Sequence, residues 1–333
     1  MMKHGFSKSS YIKIIIALIS LTLVVGSGLL ILHEWEKTSG QFPQHEFGDT
    51  TVVYDDKEYT LKNSIETFLV IGLDKFDGEA SADSYNNDKQ ADFLMLFVFD
   101  NEKKQCSAIH INRDTITDVN VLGLNGNKVD TQKKQIALAH THGNGKDVSC
   151  RNTADSVSSL LLGMKVNHYV SATMDTVVKL NDLVGGVEVT VNDDFTGIDE
   201  TLIKGEKVVL MGDHALNFVR TRYGLEDDSN STRMVRQQEY INGLYDKFHE
   251  CAENDDEFII KTSLELSDHI VSDRSVTQLQ TLAQKFNDYE FLGIKDIEGE
   301  SVAGEKFMEF HPNEKFVERM VIDLFYQPKE NKD

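Results

Sequence analysis

Cysteine, proline, tryptophan and arginine are all scarce in this chain of 333 residues, and most of these shortages exclude something. The three cysteines (Cys106, Cys150, Cys251) are odd in number and match no zinc-ligand spacing, so the chain is neither a disulfide-stapled scaffold nor a cysteine-based metal protein. One bridge, Cys106 to Cys150, suits an oxidising cell surface, with buried free thiols as the equal alternative. The three prolines mark no domain boundary. Lysine and arginine together number 34 against 55 aspartates and glutamates, a net charge of −21. General nucleic-acid binding needs a basic footprint that so acidic a chain does not supply. No P-loop and no serine nucleophile elbow occurs. His140 and His142, even with His110 as a third partner, lack a closed ligand set and read as structural or solvated histidines.

The arginine that is present is concentrated. Arg220, Arg222, Arg233 and Arg236, half of the eight in the chain, fall within residues 213–238 (DHALNFVRTRYGLEDDSNSTRMVRQQ). Lysine supplies most other positive charge, so the planar, bidentate guanidinium fork has a purpose here, and a multivalent oxyanion is the guest it suits. The apolar spacing of Met234, Tyr240, Ile241, Leu244 and Phe248 predicts a helix over residues 231–248. Arg233, Arg236 and Gln237 then share one face at i, i+3 and i+4, three converging donors. The alternative is a surface ion-pair network with Glu226, Asp227 and Asp228, a common arrangement worth little energetically. Asn230, Ser231 and Thr232 formally make a glycosylation acceptor, read as chance inside this motif.

Residues 14–32 (IIIALISLTLVVGSGLLIL) are an uncharged run long enough to cross a bilayer, preceded by Lys3, Lys8 and Lys13 and followed by Glu34 and Glu36. The positive-inside rule puts residues 1–13 in the cytoplasm and everything after about residue 35 outside the cell, a single-pass membrane protein with Trp35 at the outer interface. A cleaved signal peptide fits less well, because the run is long and no small-x-small site follows it. The acidic balance suits an exterior rich in divalent cations.

Beyond the anchor, residues 33–66 read as a tether and a small hairpin around Asp55 and Asp56. TFLVIGLD, DFLMLFVFD and QCSAIHIN are strands whose nearly continuous apolar runs predict a sheet covered on both faces. A helix capped by Asn152 or Thr153, the strand HYVSATM, the helix DTVVKLNDL ending at Gly185 and Gly186, and the strand VEVTV continue the alternation. The fold class is α/β with a mixed or mostly parallel sheet over residues 67–250, followed by a mainly helical part over 251–333. Strand ends carry carboxylates: Asp74 follows LVIGL, Asp92 opens FLMLFVF, and Asp114 follows Arg113 after AIHIN. Ligands of such sheets bind in the crevice at strand ends, and a hard divalent cation takes one or two carboxylates plus phosphate oxygens and water. Asp74 and Asp92 are the metal candidates.

FLVIGLD, ADFLMLFVF, NRDT, HYVSATMDTVVKLNDLVGGVEVTV, and HALNFVRTR followed by RMVRQQ together resemble the LytR-CpsA-Psr family (the cell envelope-related transcriptional attenuator domain) in order and spacing. The resemblance covers residues 67–248, and the block from Arg220 to Gln237 is its most specific part. It implies a three-layer α/β/α sandwich around a mixed sheet, behind an N-terminal transmembrane helix. It further implies a Gram-positive cell-envelope phosphotransferase that moves a glycopolymer, whether teichoic acid, capsule or another wall polysaccharide, from a polyprenyl-pyrophosphate carrier to peptidoglycan. By that resemblance Arg113, Arg220, Arg222, Arg233, Arg236 and Gln237 contact pyrophosphate, and Asp74 and Asp92 hold Mg2+. Asp114 is the catalytic or arginine-orienting carboxylate, acting with Arg113 and Arg222. Two positions depart from the family pattern: Gln90 stands where an arginine is usual, and Asn112 where a proline is usual. A pyrophosphatase acting on the same lipid donor and a non-catalytic binder of anionic wall polymer are the alternatives.

Overall fold

The structure is a computed structural model that describes residues 50–73 and 90–329. The strands, in chain order, are β1 (Thr51–Tyr54), β2 (Lys57–Leu61), β3 (Ile65–Leu73), β4 (Ala91–Asp100), β5 (Gln105–His110), β6 (Ile116–Leu122), β7 (Lys128–Gln135) and β8 (His168–Thr173). They continue as β9 (Val187–Thr190), β10 (Lys207–Leu210), β11 (Ile270–Ser272), β12 (Glu290–Asp296), β13 (Gly299–Ala303), β14 (Met308–Pro312) and β15 (Tyr326–Pro328). The helices are α1 (Asp147–Leu160), α2 (Met174–Leu183), α3 (Asp213–Arg220), α4 (Asn230–Asn254), α5 (Phe258–Leu266), α6 (Val276–Asn287) and α7 (Glu314–Phe325).

Six strands form the central sheet in the order β11-β8-β3-β4-β5-β12. β8 and β12 run parallel to their neighbours β3 and β5, and the remaining pairs are antiparallel, so the fold is mixed α/β around a mixed sheet. Successive residues of a strand face opposite ways, and β4 uses both sides. Leu94, Leu96 and Val98 join the core formed with Cys150, Ala154 and Val157 of α1 and Val317, Met320 and Val321 of α7. Phe97 and Phe99 face the other side, where Phe99 stacks on Phe286 of α6 at 3.5 Å between ring centroids. That two-sided burial is why the run reads as continuously apolar. A separate cluster of Val187, Val189, Phe195, Phe218 and Tyr240 holds β9, α3 and α4 together. α4 lies close to β9 because Gly243 presents no side chain: a Cβ there would sit 2.8 Å from a Val187 methyl.

Some expectations change. α1 begins at Asp147 rather than at Asn152 or Thr153. The latter two lie inside it, where Asn152 Nδ2 bonds Ala139 O at 2.8 Å and Thr153 Oγ1 bonds back to Ser149 O at 2.9 Å. The stretch after Cys251, expected to be mainly helical, also carries five strands, and two of them, β11 and β12, form the edges of the central sheet. Cys106 and Cys150 are both buried and both free, so the bridge between them does not form. Among the described residues no helix is long and apolar enough to cross a membrane; the expected anchor, residues 14–32, lies outside them.

Candidate functional site

At one end of the central sheet the β3–β4 ladder changes register. Gly72 pairs with Phe93 while Leu73 pairs with Ala91, leaving Asp92 as the extra residue of a bulge. Bulges re-aim side chains and recur beside active sites. Gly72 permits this one, since a Cβ there would come within 2.7 Å of the Phe93 Cβ. Next to β4, β5 runs out at His110 and the chain turns through Asn112, Arg113 and Asp114. Asn112 organises the turn: its Oδ1 accepts from Asp114 N at 2.9 Å and from Asn230 Nδ2, at the start of α4, at 2.8 Å. A proline in this place offers no acceptor side chain, so the departure at Asn112 has a local use.

Arg113 lies among acceptors. Its Nη1 is ion-paired with Asp92 Oδ1, its Nη2 donates to Gln90 Oε1, and its Nε is 3.5 Å from Asp114 Oδ1. Gln90, the second departure, thus receives this guanidinium. From α4, Arg233 Nη2 donates to Asn230 Oδ1 at 2.6 Å and approaches the Asp92 carbonyl at 3.4 Å. Arg222 lies just past α3, 4.8 Å above the Tyr223 ring, with Nη2 donating to the Tyr223 hydroxyl at 2.6 Å. Burial pushes the Asp114 carboxyl above the ordinary carboxylate value, against the opposing pull of Arg113, Arg222 and Arg233. Those three guanidiniums therefore act on one carboxylate of raised proton affinity. Beneath them His110 is pushed down to about 3, chiefly by burial and then by Arg233, so it stays neutral beside the cations.

The other predicted residues are placed differently. Arg220 is the exposed last residue of α3. Gln237 is buried and donates to Val219 O at 3.2 Å. Arg236 is only 2 % exposed and bonds Phe218 O, Thr221 O and Asp193, so the expected convergence of Arg233, Arg236 and Gln237 on one anion does not occur. Residues at i and i+3 differ in azimuth by about 60° on a helix, enough for α3 to take one and leave the other. Asp74 lies outside the described residues. Among the described residues no group of three or more His, Cys, Asp or Glu is placed to hold a metal. Of the acids named for a surface network, Glu226 pairs with Lys204 at 2.7 Å, and Asp227 accepts from Ser229 N and Thr232 Oγ1 at the start of α4. His140 is fully buried, 3.7 Å from Cys150 Sγ. Asn230 is buried and bonded on both sides, which removes it as a glycosylation acceptor.

Gln135 was not anticipated. From the end of β7 its Nε2 donates to Asp114 Oδ1 at 3.0 Å and to Met308 O at 2.7 Å. β14 supports the same residue, with Phe310 N donating to Asp114 O at 2.9 Å. No local pattern announces Gln135, which ends a polar strand rich in lysine and glutamine.

The LytR_cpsA_psr family model matches residues 36–320. A polyisoprenyl-teichoic acid–peptidoglycan teichoic acid transferase, TagU of Enterococcus faecalis, is 28% identical over 238 residues, 70% of this chain and 68% of that protein. Among solved structures, a Streptococcus agalactiae protein superposes with a TM-score of 0.64 at 18% identity, covering 81% of this chain and 90% of that one. TagT bound to LIIa-WTA superposes with a TM-score of 0.60 at 20% identity, covering 83% and 95%. At such identities these structures speak to the fold.

Proposed function

Because the chain belongs to the LytR_cpsA_psr family, we propose that it is a membrane-anchored, outward-facing phosphotransferase that moves a glycopolymer from a polyprenyl-pyrophosphate carrier to peptidoglycan. The observation that carries this is the arrangement around Asp114: a buried carboxyl of raised proton affinity, 3.5 Å from Arg113 and under the field of Arg222 and Arg233. Phosphoryl transfer needs positioning and neutralisation of charge spread over oxygens, which guanidiniums supply. It also needs a proton acceptor near the incoming hydroxyl, and a carboxylate with raised affinity is better suited to that than an ordinary one. In the transfer, an acceptor hydroxyl oxygen bonds to the glycan-side phosphorus and its proton passes to Asp114. The bond from that phosphorus to the bridging oxygen breaks, and polyprenyl phosphate leaves.

Mg2+ belongs to this proposal: Asp92 and Asp74 would hold it, and it would neutralise pyrophosphate charge. Asp92 is ion-paired with Arg113, so a cation taking it would be completed by phosphate oxygens and water rather than enclosed by protein. The finer architecture, a three-layer α/β/α sandwich behind a transmembrane helix at residues 14–32, is part of the same proposal. Helices on both faces of the sheet and the lysine-before, glutamate-after flanks of that segment support it. The test incubates the full chain in detergent with a lipid-pyrophosphate-linked sugar, Mg2+ and a peptidoglycan oligomer, with products read by mass spectrometry. A mass gain on the oligomer that Arg222→Gln removes is expected. Bound but intact lipid would mean a binder, and free phosphate without transfer a pyrophosphatase.

A further inference from the structure

The last carbonyls of an α-helix have no partner within it and are commonly satisfied by a glycine-based cap. α3 has no such cap: Thr221 follows it at φ −57° and ψ 133°, and the chain leaves extended into Arg222. α4 supplies the partners instead. Arg236 Nε donates to Phe218 O at 3.0 Å, Arg236 Nη2 donates to Thr221 O, and Gln237 Nε2 takes Val219 O. The remaining nitrogen of Arg236, Nη1, is ion-paired with Asp193, on the segment after β9. The guanidinium lies 5.7 Å from the Phe195 ring, which itself stacks on Phe218 of α3. Each nitrogen of this side chain is committed to protein, in a setting where a positive group at a helix C-terminus is also favoured by the helix dipole.

The carbonyls that Arg236 holds belong to the turn bearing Arg220 and Arg222, and Arg236 itself sits one turn from Arg233. Its fork spans two backbone carbonyls and a carboxylate, which a lysine point charge does not reproduce. We propose that Arg236 is a positioning residue, a strut that fixes the Arg220–Arg222 turn against α4 so that Arg222 and Arg233 keep their spacing around Asp114. The assignment rests on the pyrophosphate reading of the site and gives Arg236 a role distinct from the ligand arginines: it acts through Arg222.

The test uses the full chain in detergent micelles, inorganic pyrophosphate as the probe, and two readouts. One is pyrophosphate affinity; the other is the Nε–Hε resonance of each arginine, tractable because the chain has only eight. Arg236→Lys is expected to weaken pyrophosphate binding about tenfold, the scale of one misplaced charge-assisted contact. It should also shift the Arg220 and Arg222 resonances while leaving Arg113 in place. In an Arg222→Gln background the same change should cost no more than about twofold, because interacting residues are non-additive. Unchanged affinity in Arg236→Lys, or a tenfold loss that persists without Arg222, overturns the proposal. If the wild-type chain does not bind pyrophosphate, the functional reading falls instead, and an unmoved Arg222 resonance in Arg236→Lys still decides against the strut. Asp193→Asn loosens the same guanidinium from its partly exposed side and should move both readouts in the same direction by less; it decides the matter if Arg236→Lys does not fold.

Discussion

Replacing Asp114 by asparagine keeps shape and hydrogen bonding while removing one charge, and the geometry predicts three effects of different sign. Transfer should fall by about 10²- to 10⁴-fold, the usual contribution of a positioned proton acceptor. Donor binding should not fall with it. A phosphate oxygen seated among the same guanidiniums would lie about 5 Å from the carboxylate, where like charges repel by about 3 kcal/mol at an effective dielectric of about 20. Screening by salt and solvent reduces this to about 1–2 kcal/mol, so the asparagine variant should bind the lipid pyrophosphate about tenfold more tightly. The third effect is on stability. Burial raises the folded-state affinity of Asp114 for its proton above the ordinary value of 3.8. Its contribution to stability is therefore full below that value and is lost as pH rises through the raised one. At neutral pH the ionised group is a cost, so the variant should melt at a higher temperature than the wild type, and the two should converge well below pH 3.8. The assays are mass-spectrometric transfer, donor titration and thermal melting on the same full-length preparations. Lost activity with weakened donor binding and a lowered melting temperature would refute the reasoning, because it would make Asp114 a structural anchor for the arginines.

Asp92→Asn removes the partner of a largely buried guanidinium and should cost about 3 kcal/mol in urea unfolding even in metal-free buffer; unaltered stability would mean that Asp92 does not hold Arg113. Gly243→Ala gains helix propensity but drives a methyl to 2.8 Å from Val187 and 2.9 Å from Glu188 O, so a net loss of about 1–3 kcal/mol is expected by calorimetry. Burial pushes the Cys106 and Cys150 thiols up to about 12. A thiol reagent at neutral pH should therefore modify only the half-buried Cys251 until the chain is unfolded, and rapid labelling of all three would contradict the packing.

Where one residue type dominated a segment's environment, the sequence displayed it. β3 and β4 read as strands because both faces are buried, and α4 reads as a helix because Met234 and Tyr240 recur on its packed side. Strand-end carboxylates and clustered arginines were visible for the same reason, charge that a chain would not otherwise place there. What escaped notice was polar and non-local. β6 and β7 form a hairpin whose second strand, KVDTQKKQ, is exposed on both faces and so carries no alternation. α1 starts early because Ser149, Thr153 and Ser156 are buried by bonding within the helix and its surroundings, which composition presents as loop. Arg233 and Arg236 are equivalent as letters; which faces the site depends on where α3 lies, and nothing near them in sequence records that.

The central sheet is completed by a strand far along the chain from its neighbour. Gln105 of β5 reaches Glu290 of β12 across 185 residues, and in the separate β1-β2-β15 sheet Glu58 of β2 reaches Lys329 beyond β15 across 271. During synthesis β5 therefore presents an unsatisfied edge until β12 is made, and open edges recruit whatever strand arrives first. Pairing across such separations is slow, because loop closure must be paid before any contact rewards it. Truncated or stalled chains ending before Glu290 would lack the strand that completes the sheet on the β5 side, leaving the turn from Asn112 to Asp114 beside an open edge.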